Sequence, residues 1–152
     1  MRFARGALLG LGLLACLPDV APVARASPTL SPLGNWLTQD GDGVIQIYRC
    51  GDALCGRIVG MSEVVRPDGS KPVDRDGRPQ CGLIILRQTG RDDSGKWQGT
   101  IANPDDGSTW NCEFWVASDG LHLRGYVLIP LLGQTQVWHR YPGNVAADCR
   151  MG

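Results

Sequence analysis

The brevity of its apolar runs constrains this chain more than any other feature. From Gly34 to Tyr141 every run stops after a few residues at Gly, Asp, Pro or Asn. Within the runs, apolar side chains recur with a period of two, the period of a half-buried strand, and helical periodicity is hard to find. Eight runs read as strands: Gly34–Thr38, Val44–Cys50, Cys55–Met61, Cys81–Thr89, Lys96–Asn103, Ser108–Ala117, Leu121–Val127 and Gln134–Tyr141. Between them stand "QDGDG", "GDAL", "PDDG" and "SDG", the residue types that tight turns prefer. Ser62 to Gln80, rich in Pro, Gly, Asp and Arg, reads as a long exposed loop.

The sixth run shows the alternation best. Trp110, Cys112, Phe114 and Val116 share one face, and Thr109, Asn111, Glu113 and Trp115 share the other. In the seventh, Leu121, Leu123 and Val127 oppose His122, Arg124 and Tyr126. One dry and one wet face per strand suits an antiparallel sheet. Eight short strands in series should close on themselves, because an open sheet leaves two unpaired edges. Glycines inside the runs (Gly56, Gly60, Gly82, Gly99 and Gly125) suit the bends of a tightly curved barrel. The expected fold is all-β: a single antiparallel up-and-down eight-stranded barrel over residues 34–141, with 27–33 as a linker and 142–152 as a tail. A β-sandwich is the alternative.

The N-terminus reads as an export signal, with Arg2 and Arg5 ahead of the apolar "ALLGLGLLACL". The "ARA" grammar at Ala24–Ala26 predicts cleavage after Ala26, so that residues 1–26 are a signal peptide. "LLAC" offers the alternative of a lipoprotein signal, residues 1–15, with Cys16 lipidated. Either way the expected location is periplasmic or secreted, with membrane anchoring only if Cys16 is lipidated. Lys plus Arg and Asp plus Glu both number 15 and no long basic run occurs, so a nucleic-acid partner is not expected.

"GNW" opens the first strand and "WHR" lies in the last. The pair resembles the lipocalins, whose first strand carries G-x-W and whose last strand supplies an arginine that packs on that tryptophan. The resemblance implies barrel closure by Trp36 with the Arg140 guanidinium on its face. "GNWLTQDGDGVIQIYRCGDALCGRIVG", "QCGLIIL", "PDDG" and "LRGYVLIPLLGQTQVWHR" also resemble, in order, an uncharacterised bacterial exported family, domain of unknown function 2147. That likeness implies an exported, lipocalin-like barrel with no established reaction. Against the family pattern, the segment between Met61 and Cys81 looks short, and Cys112 and Cys149 look like additions.

Cys50 and Cys55 flank a four-residue loop, where facing residues come within disulfide range. Zinc sites bring such pairs in twos or join them to closely spaced histidines, and His122 and His139 are too far apart in sequence. A C-x-x-C redox centre is excluded by the spacing. A disulfide is expected, with metal or free thiols as alternatives. In a meander Cys81 starts a strand at the other end of the barrel, roughly 20 Å away, and is no partner for this pair. Of the remaining cysteines, Cys112 and Cys149 are expected to bond, since the tail could bring Cys149 inward.

Chemistry is harder to find. "DGDG" (Asp40–Gly43) and "DRDG" (Asp74–Gly77) are fragments of a calcium loop, but turns prefer the same residues and no complete loop follows. No G-x-S-x-G elbow or H-E-x-x-H pair is present, so neither catalytic residues nor a cofactor nor a metal site is expected. Glu113, His122, Arg124 and Tyr126 could form a polar cluster, expected on the outer surface. An eight-stranded barrel is just wide enough to be filled by its side chains or to hold one small ligand. The expected function is binding of a small hydrophobic or amphipathic ligand in a lumen lined by Trp36, Ile45, Ile47, Trp110, Phe114, Leu121 and Leu123. The alternative is a filled barrel that captures an envelope protein partner through the 62–80 loop.

Overall fold

The computed structural model describes residues 30–152; the expected signal segment and the start of the linker lie outside them. Eight strands run in chain order around a closed antiparallel barrel: β1 (Gly34–Leu37), β2 (Gly43–Cys50), β3 (Ala53–Met61), β4 (Ile84–Arg91), β5 (Trp97–Ala102), β6 (Thr109–Ala117), β7 (Gly120–Tyr126) and β8 (Gln134–Arg140). Each strand pairs with its sequence neighbour, and β1 with β8 completes the ring through Trp36↔Arg140 and Leu37↔His139. The expected barrel is therefore the observed one. The up-and-down order gathers the β1–β2, β3–β4, β5–β6 and β7–β8 connections at one end, the mouth. The other three turns lie at the opposite, closed end.

Both Asp-Gly fragments are turns. Gly41 (φ +74°) donates its N–H to the Thr38 carbonyl at 3.0 Å, and Gly77 (φ +79°) donates to the Asp74 carbonyl at 3.0 Å. The β2–β3 turn is tighter than expected. Only Gly51 and Asp52 lie outside the strands, so Cys50 pairs with Ala53 and Cys55 with Tyr48. The two cysteines are thus diagonal neighbours, not facing residues. They still bond, with Cα atoms 5.8 Å apart.

The second disulfide differs from expectation. Cys149 bonds to Cys81, and Cys112 is free. The tail returns to the mouth end of β3, where Met61 N–H donates to the Cys149 carbonyl at 2.8 Å. The segment before β4 docks beside it through Gly82 N–H on the Ile58 carbonyl, also at 2.8 Å. Both cysteines therefore meet on β3. Cys112 lies on the inward face of β6 and is fully buried, so the barrel wall separates it from the tail.

The core is a continuous cluster of Trp36, Ile45, Ile47, Leu54, Ile58, Leu86, Cys112, Phe114, Leu121, Leu123 and Trp138. At about 25 cal/mol per Å² of apolar area removed from water, this cluster is the main source of stability. The ladder bends where register shifts, and Gly99 shows why one bend needs glycine. Opposite the Gln88/Gly90 irregularity, a Cβ on Gly99 would lie 2.4 Å from the Arg87 carbonyl oxygen.

Candidate functional site

The closed end is sealed by the residues that the first and last strands suggested. The Arg140 guanidinium lies 3.9 Å from the centre of the Trp36 ring. Trp36 Nε1 donates to the Pro32 carbonyl at 2.7 Å, and Arg140 also donates to the carbonyls of Ser31 and Leu33. The chain entering β1 is thereby drawn across the base. A cation over an indole contributes on the order of 0.5–2 kcal/mol, more as water is excluded.

Of the seven expected lumen residues, Trp36, Ile45, Ile47, Phe114, Leu121 and Leu123 are all buried in the core cluster. An open chamber would leave its lining accessible; these side chains instead fill the lower barrel with one another. Trp110 departs from the expectation. It shares the face of Cys112 and Phe114, yet it is 36% exposed while both of those are at 0%. Alternation put it on the inward face correctly, but it sits one layer too near the rim to be covered.

The other inward positions follow the same gradient. On β8, Trp138 is buried while Gln136 and Gln134, on the same face, are exposed. On β7, Leu123 is buried and the next inward residue is Gly125. Register places Gly125 beside Cys112 and Gln134, and Ile101 beside Trp110. A Cβ added to Gly125 would meet no atom within 4 Å. Along the inward wall at the mouth, the open position of Gly125 on β7 thus lies between Ile101 and Trp110 on β5 and β6 and the two glutamines on β8, an arrangement termed the cup. Its floor is the Cys112–Phe114–Leu123 layer. Gln136 Oε1 accepts from Trp138 Nε1 at 2.9 Å, which orients the amide and leaves its NH₂ free to donate. Gly125, Gln134 and Gln136 were missed in the sequence, although their parity with Leu123 and Trp138 could have found them.

Burial pushes the Cys112 thiol up to about 12, so the floor carries no thiolate at neutral pH and no nucleophile. The polar set of β6 and β7 does not converge. His122 Nε2 is 2.8 Å from Asp119 Oδ1 and its ring stacks on Trp115, with centroids 5.1 Å apart. Glu113 pairs with Lys96 at 3.0 Å, and Arg124 turns towards the β7–β8 connection. These residues lie on the outer wall, as expected, but Glu113 is buried there against Lys96 rather than solvated.

Beside the cup, the Ser62–Gln80 loop is built around a buried carboxylate. Asp74 accepts from the backbone N–H of Asp76 (2.9 Å) and Arg78 (2.8 Å) and from Arg78 Nε (2.7 Å). Burial alone would raise this carboxyl, but the Arg78 guanidinium and the backbone donors outweigh it and hold it below the usual carboxylate range. Gln80 Nε2 reaches Asp105 at 2.8 Å and ties the loop to the β5–β6 turn. A cleft of about 650 Å³ lies between them, with Arg75, Arg78 and Arg87 among its lining residues.

The same architecture occurs in a solved structure described as "Protein HP1028 from the human pathogen Helicobacter pylori belongs to the lipocalin family". The match has a TM-score of 0.59 at 19% identity and covers 74% of this chain and 84% of that one. No curated protein matches the chain. A family model described as "Uncharacterized protein conserved in bacteria (DUF2147)" matches residues 34–140, from the first residue of β1 to the last of β8. With its closed barrel and lipocalin-like architecture, the chain belongs to the DUF2147 family.

Proposed function

We propose that this protein is a non-enzymatic carrier of a small amphipathic ligand, held in the cup at the barrel mouth. The observation that carries this reading is the open space over Gly125 on the same inward wall as the exposed Trp110, above the filled Cys112–Phe114–Leu123 layer. The apolar part of the ligand would lie against Trp110 and Ile101, and a polar end would accept from the Gln134 and Gln136 amides. A site with a few directed polar groups on an apolar wall is the usual form of a small-ligand site. The two disulfides support a working place in an oxidising compartment, the periplasm or the exterior.

Gly125→Leu tests the reading, because the position has room for a side chain and its φ is not among the positive ones. The expected result is that 1-anilinonaphthalene-8-sulfonate, a fluorescent amphipathic probe, binds the unmodified protein and loses at least about ten-fold in affinity in the variant. Equal binding by both proteins, or binding by neither, would exclude the cup as the site.

A second reading has its own observation. The Ser62–Gln80 loop is fixed in advance by Asp74 and Gln80, and its cleft presents Arg75 and Arg87 beside Arg78, which is paired to Asp74 and Asp76. Such a surface suits capture of an envelope protein through an acidic segment. Replacing the loop would then abolish partner capture and leave probe binding intact.

A further inference from the structure

The β7–β8 connection carries the most exposed apolar surface among the described residues. Val127, Leu128, Ile129, Leu131 and Leu132 are 49–80% exposed, and no charged residue occurs from Gly125 to Gly133. A short 3₁₀ turn, Pro130–Leu132, shapes the tip. Scattered exposed leucines would need no explanation, but five aliphatic side chains on one six-residue tip form a patch.

The backbone of the tip shows what such a patch would meet. The Ile129 carbonyl accepts from Leu132 N–H (3.1 Å), and the Pro130 carbonyl accepts from Gly133 N–H (3.0 Å). Arg124 folds back from β7 to donate to the carbonyls of Pro130 and Leu131, and Asn111 Nδ2 donates to that of Val127. Four carbonyls of the tip are thus satisfied from within the protein. Hydrocarbon demands internal satisfaction of the backbone, whereas water does not. A protein partner would be expected to find directional groups, about one hydrogen bond per 100–200 Å² of interface. The side chains of this tip offer neither donor nor acceptor. At its base lie Trp110, Tyr126 and Arg124, residue types with an apolar body and a polar end that suit the boundary between lipid and water.

We propose that the Val127–Leu132 tip enters the hydrocarbon of a lipid bilayer, so that the barrel docks mouth-first on a membrane surface. The occupant is the acyl region of the lipid, not a headgroup, because the tip is uncharged. The contact is independent of any lipid on Cys16 and does not require a ligand in the cup. It would set the cup against the membrane, where an amphipathic cargo is most concentrated.

The test uses phosphatidylcholine vesicles, the full chain and the double variant L128D/L131D, with near-UV circular dichroism to show that both proteins share one fold. The expected result is flotation of the unmodified protein with vesicles, little affected by salt, and a loss of about ten-fold or more in the variant. With nitroxide-bearing lipid, the methyl signals of Leu128, Leu131 and Leu132 should broaden while those of Leu54 and Leu121 stay sharp. Equal flotation of the two proteins, or sharp tip methyls in vesicle-bound protein, would overturn the proposal by placing the contact elsewhere on the chain. Absence of flotation would overturn it too; self-association removed by the double variant would then make the tip an interface between copies. Gly125→Leu should float like the unmodified protein, so failure of the cup and failure of the tip are read separately.

Discussion

The two ends of the barrel are built from the same alternation and have opposite characters. Below the mouth the inward layers carry large apolar side chains, closed by Arg140 on Trp36, and Trp36, Phe114 and Leu121 are at 0–1% exposure. At the mouth the inward positions include Gly125, Gln134, Gln136, Ile101 and Trp110; the glutamines and the tryptophan are exposed, and a Cβ on the glycine would meet nothing within 4 Å. Periodicity sets which face a residue takes, and its depth along the barrel axis sets whether that face is covered. A ligand site can therefore be placed at one end without loosening the other.

The sharpest way to break this comparison is to truncate one aromatic residue at each end. Phe114→Ala should cost about 3–5 kcal/mol, because a filled layer cannot collapse around the hole. Trp110→Ala should cost about 1 kcal/mol or less and act on probe binding instead. Urea unfolding of both variants checks this, and equal costs would mean that the mouth is packed like the floor.

The disulfides give the next largest contrast. Cys81–Cys149 spans 68 residues and ties the tail to the mouth end of β3, while Cys50–Cys55 spans 5 and staples a hairpin at the closed end. Loop-closure entropy predicts a loss of about 4 kcal/mol for C81S/C149S and about 2 kcal/mol for C50S/C55S. Thermal unfolding of the two double variants measures the difference. A larger loss from the short staple would show that strain or local packing, not chain entropy, governs both bonds.

The smallest effect separates the ends by pH. The Asp74 carboxyl is held below its ordinary value, so its contribution is fully present above about 3.9 and is lost as pH falls through the lower, folded value. Protection of the Asp76 and Arg78 amides, relative to their intrinsic exchange rates, should therefore fall below about pH 3.9 before that of Phe114 and Leu123, whose layer contains no carboxylate. In Asp74→Asn the same amides should exchange faster already at neutral pH. Simultaneous acid loosening of loop and floor would show that the two ends unfold as one unit.

Much of this architecture is legible in the sequence. Period-two runs and Gly/Asp turns are local signals, and the eight strands fall within a few residues of where they were expected. Trp36 and Arg140 were legible because closure makes the first and last strands neighbours. The Cys50–Cys55 bond was expected from a facing pair and formed from a diagonal one, since a two-residue turn moved the register without separating the thiols. Cys81–Cys149 was not legible, because the path of the tail depends on a landing place on β3 that no local pattern records. The role of Gly125 was hidden for a different reason: a glycine in a strand reads as a bend, and only its surroundings show it to be a vacancy.

The sequence by itself determined the strand count, the turn positions and the face of each side chain, because these follow from interactions within a few residues along the chain. Tertiary structure alone decided that Phe114 is floor and Trp110 is rim, that Cys149 meets Cys81, and that Val127–Leu132 stands clear of the core. Each of these depends on which distant strand or loop lies alongside, and burial is a property of that assembled neighbourhood.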